Sequence, residues 1–279
     1  MRKKLLAIIL IAATVISLAA CSGDTKDSGN DSSEPKEKEY ISEDEISDLF
    51  SNPDNFKDKY VKMTGKIFTD PETDGDTVAL QIWQNPKDSS NNFIVYCDKN
   101  PELTTDVYVS VDGKIEGTFE GENMLGGSVT APLIQADSVE IMSYIDAMVP
   151  TLQSETPENA VSEQNGISLK IDKVEFAEAE TRIYLTETNT SSDKFSMFVY
   201  SIKLVQNGQQ IEQDSSSMSS YDGNYPELSS EILPGASSSG ILVFPPVNTA
   251  DFQLYAEGMS DNWEIEFAPF TISLTFASN

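Results

Sequence analysis

The chain has 279 residues, with 18 Lys and Arg against 46 Asp and Glu and a formal net charge of −28. A field of this sign repels phosphate, so nucleic acid is not expected as a partner, and cations, basic partners or a solvated surface are favoured. The sequence holds two cysteines and no histidine. Without histidine, neither a Ser-His-Asp nor a Cys-His arrangement can form, and the commonest zinc ligand is missing.

The first segment of the chain has the layout of a secretory signal. Arg2, Lys3 and Lys4 precede an apolar run over residues 5–20, which ends in Leu-Ala-Ala before Cys21. The run is shorter than the roughly 20 residues that a spanning helix needs. We therefore expect residues 1–20 to be a signal peptide. Residues 21–39 are Ser-rich and acidic, with almost no apolar side chain to bury, which predicts a disordered tether.

The position of Cys21 at the predicted cleavage site resembles the lipobox of bacterial lipoproteins. The resemblance implies that the Cys21 thiol carries a diacylglycerol group and becomes the first residue of the mature protein. It further implies attachment to the cell membrane on its extracytoplasmic face, as in Gram-positive lipoproteins. One residue that bears two acyl chains is a stable anchor, because both chains bury their methylene groups in the bilayer.

Residues 40–147 are predicted to form a β-domain that follows one short helix. Ser42 and Glu45 have the spacing of a capping box, and Asn52-Pro53 ends a helix that runs from about Glu43 to Phe50. Alternating apolar residues then predict five strands. These lie near residues 60–67, 78–83, 93–97, 107–117 and 134–142.

Five short strands, one of them bent at glycines, favour a small barrel of the oligonucleotide/oligosaccharide-binding (OB) type. Residues 52–67, with the sequence NPDNFKDKYVKMTGKI, resemble the opening of OB-like domains in bacterial lipoproteins, and residues 109–117 resemble their long central strand. The resemblance implies an OB-like barrel and carries no catalytic residues.

The second half of the chain is predicted to be a β-sandwich. Residues 148–165 are rich in Thr, Ser, Glu, Pro and Asn, which predicts an interdomain linker. Over residues 166–279, seven or eight short strands alternate with turns such as Asn207-Gly208, and the last two strands are expected at 263–267 and 270–274. This half resembles the telokin-like, immunoglobulin-like C-terminal domains of many Gram-positive lipoproteins. The predicted fold class is therefore mainly β, in two domains.

An acidic segment between the first two predicted strands is a candidate calcium loop. Its carboxylates alternate along the chain at Asp70, Glu72, Asp74 and Asp76. Gly75 takes the sixth position, as a calcium loop requires, but Gln81 stands where a bidentate Glu is needed. The two interpretations are a weak calcium site and a solvated acidic turn. No other cofactor is expected.

Three aromatic residues, Tyr60, Trp83 and Tyr108, have the opposite strand parity to the predicted barrel core. Aromatic side chains on an OB-like barrel stack on bases or sugars, so these three are candidates for a sugar or peptide platform centred on Trp83. The alternative is that Trp83 packs under the capped helix or against the second domain.

The leading hypothesis is a lipid-anchored, monomeric cell-surface protein that binds or scaffolds without catalysis. Basic proteins, peptides and wall saccharides are the expected partners, and residues 221–226 are a candidate recognition tip in a Ser-rich loop. The alternative is a carboxylate-based enzyme or accessory factor that acts on cell-wall polymer. Such an enzyme needs two carboxylates that face one cleft.

Overall fold

The computed structural model describes residues 37–122 and 128–276. These residues divide into two compact units, and the boundary lies between Ile141 and Met142. Both units are built mainly from β-strands, which confirms the predicted fold class. Cys21, the predicted signal peptide and most of the predicted tether lie outside the described residues. Within the described part of the chain, no helix is long and apolar enough to cross a membrane.

The first unit begins with the predicted capped helix. A 3-10 turn at Glu43–Glu45 leads into helix α1 (Ile46–Ser51), and a second 3-10 turn covers Pro53–Phe56. The backbone N–H of Ser42 donates to Glu45 Oε2 at 2.8 Å, which closes the capping box. Leu49 has no exposed surface and packs in the barrel core.

Six strands form the sheet of the first unit. They are β1 (Tyr60–Ile67), β2 (Glu72–Asp74), β3 (Thr77–Asn85), β4 (Ser90–Asp98), β5 (Tyr108–Glu122) and β6 (Ser128–Met142). Their order is β1-β5-β6-β4-β3-β2, and a further pairing of β1 with β3 closes five of them into a ring. Strands β4 and β6 run parallel. This closed ring is the predicted OB-like barrel.

Close packing in the barrel depends on Gly113 of β5. A Cβ atom at this position would lie 2.5 Å from the backbone oxygen of Gln135 in β6, so only glycine allows this approach. Cys97 of β4 points into the same core and is 6% exposed. Burial raises the pKa of its thiol to about 11. Cys97 is therefore a buried thiol that is disfavoured as a nucleophile.

The predicted linker is instead built into the second unit. Helix α2 (Tyr144–Met148) is followed by β7 (Gln153–Glu155) and β8 (Val161–Gln164), and both strands pair with β9 (Ile167–Phe176). These short strands are joined to the sheet by main-chain hydrogen bonds. Main-chain bonding does not require apolar side chains, so the polar composition of residues 148–165 does not indicate that they form strands.

The remaining strands of the second unit form three antiparallel groups around one core. They are β10 (Thr181–Asn189), β11 (Phe195–Met197), β12 (Lys203–Gln206), β13 (Gln209–Ile211), β14 (Glu231–Ile232), β15 (Ser237–Phe244), β16 (Phe252–Ala256), β17 (Gly258–Ser260) and β18 (Phe270–Leu274). A 3-10 turn covers Val199–Ser201 and helix α3 covers Ser219–Asp222. The sheets run in the orders β15-β10-β9-β7, with β8 also on β9, then β14-β11-β17 and β13-β12-β16-β18.

Two local predictions in this unit had opposite outcomes. Asn207 and Gly208, with φ of 52° and 76°, form the two-residue turn between β12 and β13, as predicted. The strand predicted over residues 263–267 is wrong, because Trp263 is 85% exposed and this stretch has no regular strand pairing. Side-chain amides replace a partner strand there: Asn165 Nδ2 donates to the backbone oxygen of Glu266 at 3.1 Å.

Candidate functional site

A cleft of about 300 Å³ opens on the outer face of β3 and β4. Ala79 and Gln81 of β3 line it beside Tyr96 and Ile94 of β4, and the strand register pairs Ala79 with Tyr96 and Gln81 with Ile94. These side chains face outward because the intervening residues, such as Leu80, point into the barrel core. The cleft therefore rests on two rigid, paired strands.

Strand β2 adds carboxylates to the cleft. Glu72 and Asp74 lie two residues apart on one strand and pair with Ala79 and Thr77 of β3, so both belong to the same face. A turn of two residues joins β2 to β3, and its first residue, Gly75, has a φ of +61° that favours glycine. Glu72, Asp74 and Thr77 all line the cleft.

The side chains that line this cleft combine apolar and hydrogen-bonding surface. Phe119 of β5 and Tyr96 supply aromatic rings, while Gln81 and three threonines supply amide and hydroxyl groups. None of the Lys and Arg side chains that the structure describes lines the cleft. Its volume lies at the lower end of the range for small-molecule sites, about 300–1,000 Å³. Such a set suits a neutral or cationic polar ligand with an apolar face.

The four carboxylates of the candidate calcium loop do not lie together. Glu72 and Asp74 share the cleft, whereas Asp70 accepts a hydrogen bond from Thr105 Oγ1 at 2.8 Å and Asp76 is the second residue of the turn between β2 and β3. Within residues 37–122 and 128–276, no group of three or more Cys, Asp or Glu is placed to hold a metal ion. Calcium binding by this segment stays a prediction.

Each aromatic residue of the predicted platform has a partner within the first unit. Trp83 stacks on Phe68, with ring centroids 4.1 Å apart and 4° between the planes. Tyr108 is 6% exposed, and Lys66 Nζ lies 5.6 Å from the centroid of its ring. The register sets Trp83 and Tyr108 on either side of Lys66.

Tyr60 lies elsewhere, beside Tyr40, with ring centroids 5.7 Å apart. None of the three predicted platform residues lines the cleft. The aromatic residues that do line it, Tyr96 and Phe119, were not identified from the sequence. A signal existed for Tyr96, because it is out of phase with the core residues Phe93 and Val95. Ligand binding by Tyr60, Trp83 and Tyr108 stays a prediction.

The second unit contains a buried ionic cluster around Arg182, which has no exposed surface. Its Nε donates to Glu175 Oε2 at 2.9 Å, and its Nη1 donates to Glu180 Oε1 at 2.7 Å. The other donors bind Val149 O at 3.0 Å and Thr151 Oγ1 at 2.7 Å. Burial opposes the charge, but the hydrogen bonds to Glu180 and Glu175 outweigh it, so the pKa of Arg182 is raised. This cluster fastens the segment before β7 to the sheet.

Glu180 also organises the loop that follows β13. It accepts hydrogen bonds from the Ser219 hydroxyl and, at 3.1 Å, from the Tyr225 hydroxyl. Burial and the nearby charge of Glu180 raise the pKa of Tyr225, which keeps this hydroxyl protonated as a donor. Ser219 has no exposed surface, so its hydroxyl holds the loop and is not accessible to a substrate.

This loop borders a second cavity, of about 390 Å³, beside β15. Tyr200, Tyr221 and Tyr225 line it together with Asp214 and Glu227. Tyr200 and Tyr221 are 86% and 75% exposed. The cavity therefore includes part of the recognition tip predicted over residues 221–226.

Comparison with known proteins identifies no relative: no family model, no curated protein and no solved structure matches the chain. The functional proposal rests on the sites themselves.

Proposed function

We propose that this chain is a lipid-anchored protein of the extracytoplasmic face of the cell membrane that binds saccharide, without catalysis, in the cleft on β3 and β4. The lipid anchor is Cys21, supported by the signal layout of residues 1–20. The observation that carries the binding proposal is the lining of the cleft, where aromatic rings stand beside amide, hydroxyl and carboxylate groups on rigid strands.

A sugar ring has two kinds of surface that match this lining. Its C–H face packs on an aromatic ring, as Phe119 and Tyr96 offer, because both surfaces lose contact with water. Its hydroxyl groups require hydrogen-bond partners when they are buried, and Gln81, Glu72 and Asp74 supply acceptors within one cleft. The same acceptors favour an amino sugar over an acidic one.

The test is binding of wall polysaccharide and of chito-oligosaccharides to the soluble chain that starts at Ser22, measured by calorimetry. Phe119→Ala should weaken binding about 5- to 100-fold, as expected for the loss of one stacking contact. Tyr40→Ala removes a 44% exposed aromatic of the same unit outside the cleft and is the matched control. Equal affinities of the two variants, or no binding by the native chain, would rule out this site.

The anchor is tested separately in cells. Cys21→Ala should move the protein from the membrane fraction to the medium, because no acyl chain then holds it. Labelling with a fatty-acid analogue should be lost in the same variant. A Cys21→Ala protein that stays with the membrane would contradict the anchor and would leave the cleft proposal untouched.

A second function is favoured by the pair of carboxylates in the cleft. Glu72 and Asp74 face the same space, which is the arrangement that a carboxylate-based enzyme of wall polymer requires. Release of reducing ends from wall polymer, lost in both Glu72→Gln and Asp74→Asn, would establish this activity. Binding without such release would support the non-catalytic proposal.

A further inference from the structure

Ala79 of β3 is the smallest side chain that lines the cleft on β3 and β4. The strand register pairs it with Glu72 of β2 on one side and with Tyr96 of β4 on the other. Residues that pair directly in an antiparallel ladder point to the same face of the sheet. A carboxylate and an aromatic ring therefore flank a methyl group in one row across the three strands.

The space above Ale79 leaves room for one pyranose ring. Neighbouring strands lie about 4.8 Å apart, so the Cα atoms of Glu72 and Tyr96 are separated by about 10 Å. Along β3, Thr77 and Gln81 stand two residues away on either side, at a distance of about 7 Å. All four side chains line the cleft, so the space is bounded on four sides by groups larger than its floor.

The polar side chains around this space have no partners within the described protein. Across residues 37–122 and 128–276, no hydrogen bond or ion pair reaches the side chains of Glu72, Asp74, Gln81 and Tyr96. Gln81 and Tyr96 are half-buried, so part of their hydrogen-bonding capacity is turned towards the cleft. A ligand that supplies the missing partners is stabilised by bonds that the protein does not make for itself.

The β2 side of the cleft is anionic. Glu72 and Asp74 are both exposed and belong to one face of β2, and none of the described Lys and Arg side chains lines the cleft. A third carboxylate, Asp98 of β4, pairs with Thr77 and lies beside the same row as Asp74. An ammonium group at this position is attracted by the carboxylates and by the face of the Tyr96 ring.

An N-acetylated sugar presents the opposite chemistry at the same position. Acetylation removes the positive charge of the amine and adds a carbonyl oxygen, which is an acceptor next to carboxylate oxygens that are acceptors too. Acceptors that face one another without a donor between them repel, and a polar group left without a partner costs free energy. Glu72 and Asp74 therefore discriminate between a free amine and an acetamide.

We propose, on the basis of the saccharide site proposed above, that this cleft selects a glycan whose unit at Ala79 carries a free amino group, which is a de-N-acetylated amino sugar. The ammonium group of this unit binds between the carboxylates of Glu72 and Asp74 and the ring of Tyr96. Ala79 sets the size of the unit, because a larger side chain on β3 would fill the space that the sugar ring occupies.

The experiment compares two oligosaccharides of equal length, a chito-oligosaccharide and its fully de-N-acetylated form. Binding to the soluble chain that starts at Ser22 is measured by calorimetry. We expect the free-amine form to bind about tenfold more tightly than the acetylated form. Glu72→Gln together with Asp74→Asn should weaken binding of the free-amine form about tenfold, as expected for the loss of two exposed ion pairs, and should remove the preference.

Two further variants separate selection in the cleft from general attraction of a cationic glycan to an acidic chain. Glu43→Gln together with Asp44→Asn removes two exposed carboxylates of the same unit outside the cleft, and the preference should stay as in the native protein. Ala79→Leu should weaken binding of both forms at least about tenfold, because its side chain clashes with the ligand. The thermal unfolding transition of each variant checks that it is folded.

The outcomes distinguish the selectivity from the site on which it rests. Selectivity is overturned, with the saccharide site intact, if both forms bind the native chain equally and Ala79→Leu still weakens both. It is also overturned if the variant of Glu43 and Asp44 loses the preference as fully as the variant of Glu72 and Asp74. If neither form binds, or if folded Ala79→Leu binds as the native chain does, the saccharide site itself is refuted, and the selectivity with it.

Discussion

Glu187 predicts an unusual dependence of stability on pH. It lies on β10, on the same side of the strand as the core residues Ile183 and Leu185, and it has no exposed surface. Neither of its carboxylate oxygens has a hydrogen-bond partner within the described residues. Burial without a partner disfavours the ionised form and raises the pKa of Glu187 to about 8 from its ordinary value of 4.5.

The magnitude follows from proton linkage. Between pH 4.5 and 8 the folded protein keeps a proton that the unfolded chain releases, so the free energy of unfolding falls as pH rises. Each pH unit in this window costs about 1.4 kcal/mol, which gives about 3 kcal/mol between pH 5 and pH 7. Above pH 8 the folded protein also ionises, and the loss levels off. The pKa values of Asp172 and Glu175 are lowered, so these two groups change the free energy of unfolding only at more acidic pH.

The assay compares native protein with Glu187→Gln, which keeps the shape and cannot ionise. Urea unfolding is measured from pH 5 to pH 9, and the transition of the second unit is identified as the one that Leu204→Ala weakens. The two proteins should have similar stabilities near pH 5, and the variant should be more stable by about 3 kcal/mol at pH 7. The matched control is Glu178→Gln, an exposed carboxylate of the same unit.

The reasoning is refuted if the native protein and Glu187→Gln change in parallel with pH. It is also refuted if Glu178→Gln raises the stability at pH 7 as much as Glu187→Gln does. In the first case the carboxyl group of Glu187 has a partner or solvent access in solution. In the second case the gain reflects relief of general repulsion in a strongly acidic chain.

Three further predictions concern buried groups. Arg182→Met should lower the free energy of unfolding by about 3–5 kcal/mol, because Glu180 keeps its charge without its cation; adding Glu180→Gln should restore part of the loss in urea unfolding. Gly113→Ala should destabilise the first unit by at least about 1–3 kcal/mol through overlap with Gln135, measured by calorimetry, and a neutral result would mean that β5 and β6 can separate. Cys97 should react with iodoacetamide at pH 8 only after unfolding, as followed by mass spectrometry; rapid reaction of folded protein would contradict its burial.

The sequence predicted the structure correctly where the residues that stabilise a helix end, a turn or a strand lie within one short segment. The capping box of Ser42 and Glu45 lies within four residues, and the turn at Asn207-Gly208 needs only residues that tolerate positive φ. Alternation of apolar residues predicted the barrel strands, because each strand buries one face. These signals do not depend on where the rest of the chain lies.

The sequence was misleading where a partner from elsewhere replaced a local signal. Residues 148–165 look like a linker, but main-chain bonds to β9 hold them in the sheet. Residues 263–267 look like a strand, but they pair with no other strand. The side-chain amide of Asn165 instead donates a hydrogen bond to the backbone oxygen of Glu266. For β7 and for residues 263–267, the deciding hydrogen bonds join residues that lie apart in the sequence, so composition alone carries no trace of them. Strand β8 differs, because it pairs with β9 across the two-residue turn Asn165-Gly166, and both turn residues have positive φ.

The sequence by itself determined the acidic charge, the absence of histidine chemistry and the mainly β character in two units, because each of these follows from residue types or from local periodicity. Only the tertiary structure decided which aromatic residues face a cleft. It covered Trp83 with Phe68 and placed Phe119 and Tyr96 in the lining of one cleft. The reason is that a strand's parity tells which residues leave the core, while strand order and loop contacts decide what meets them outside it.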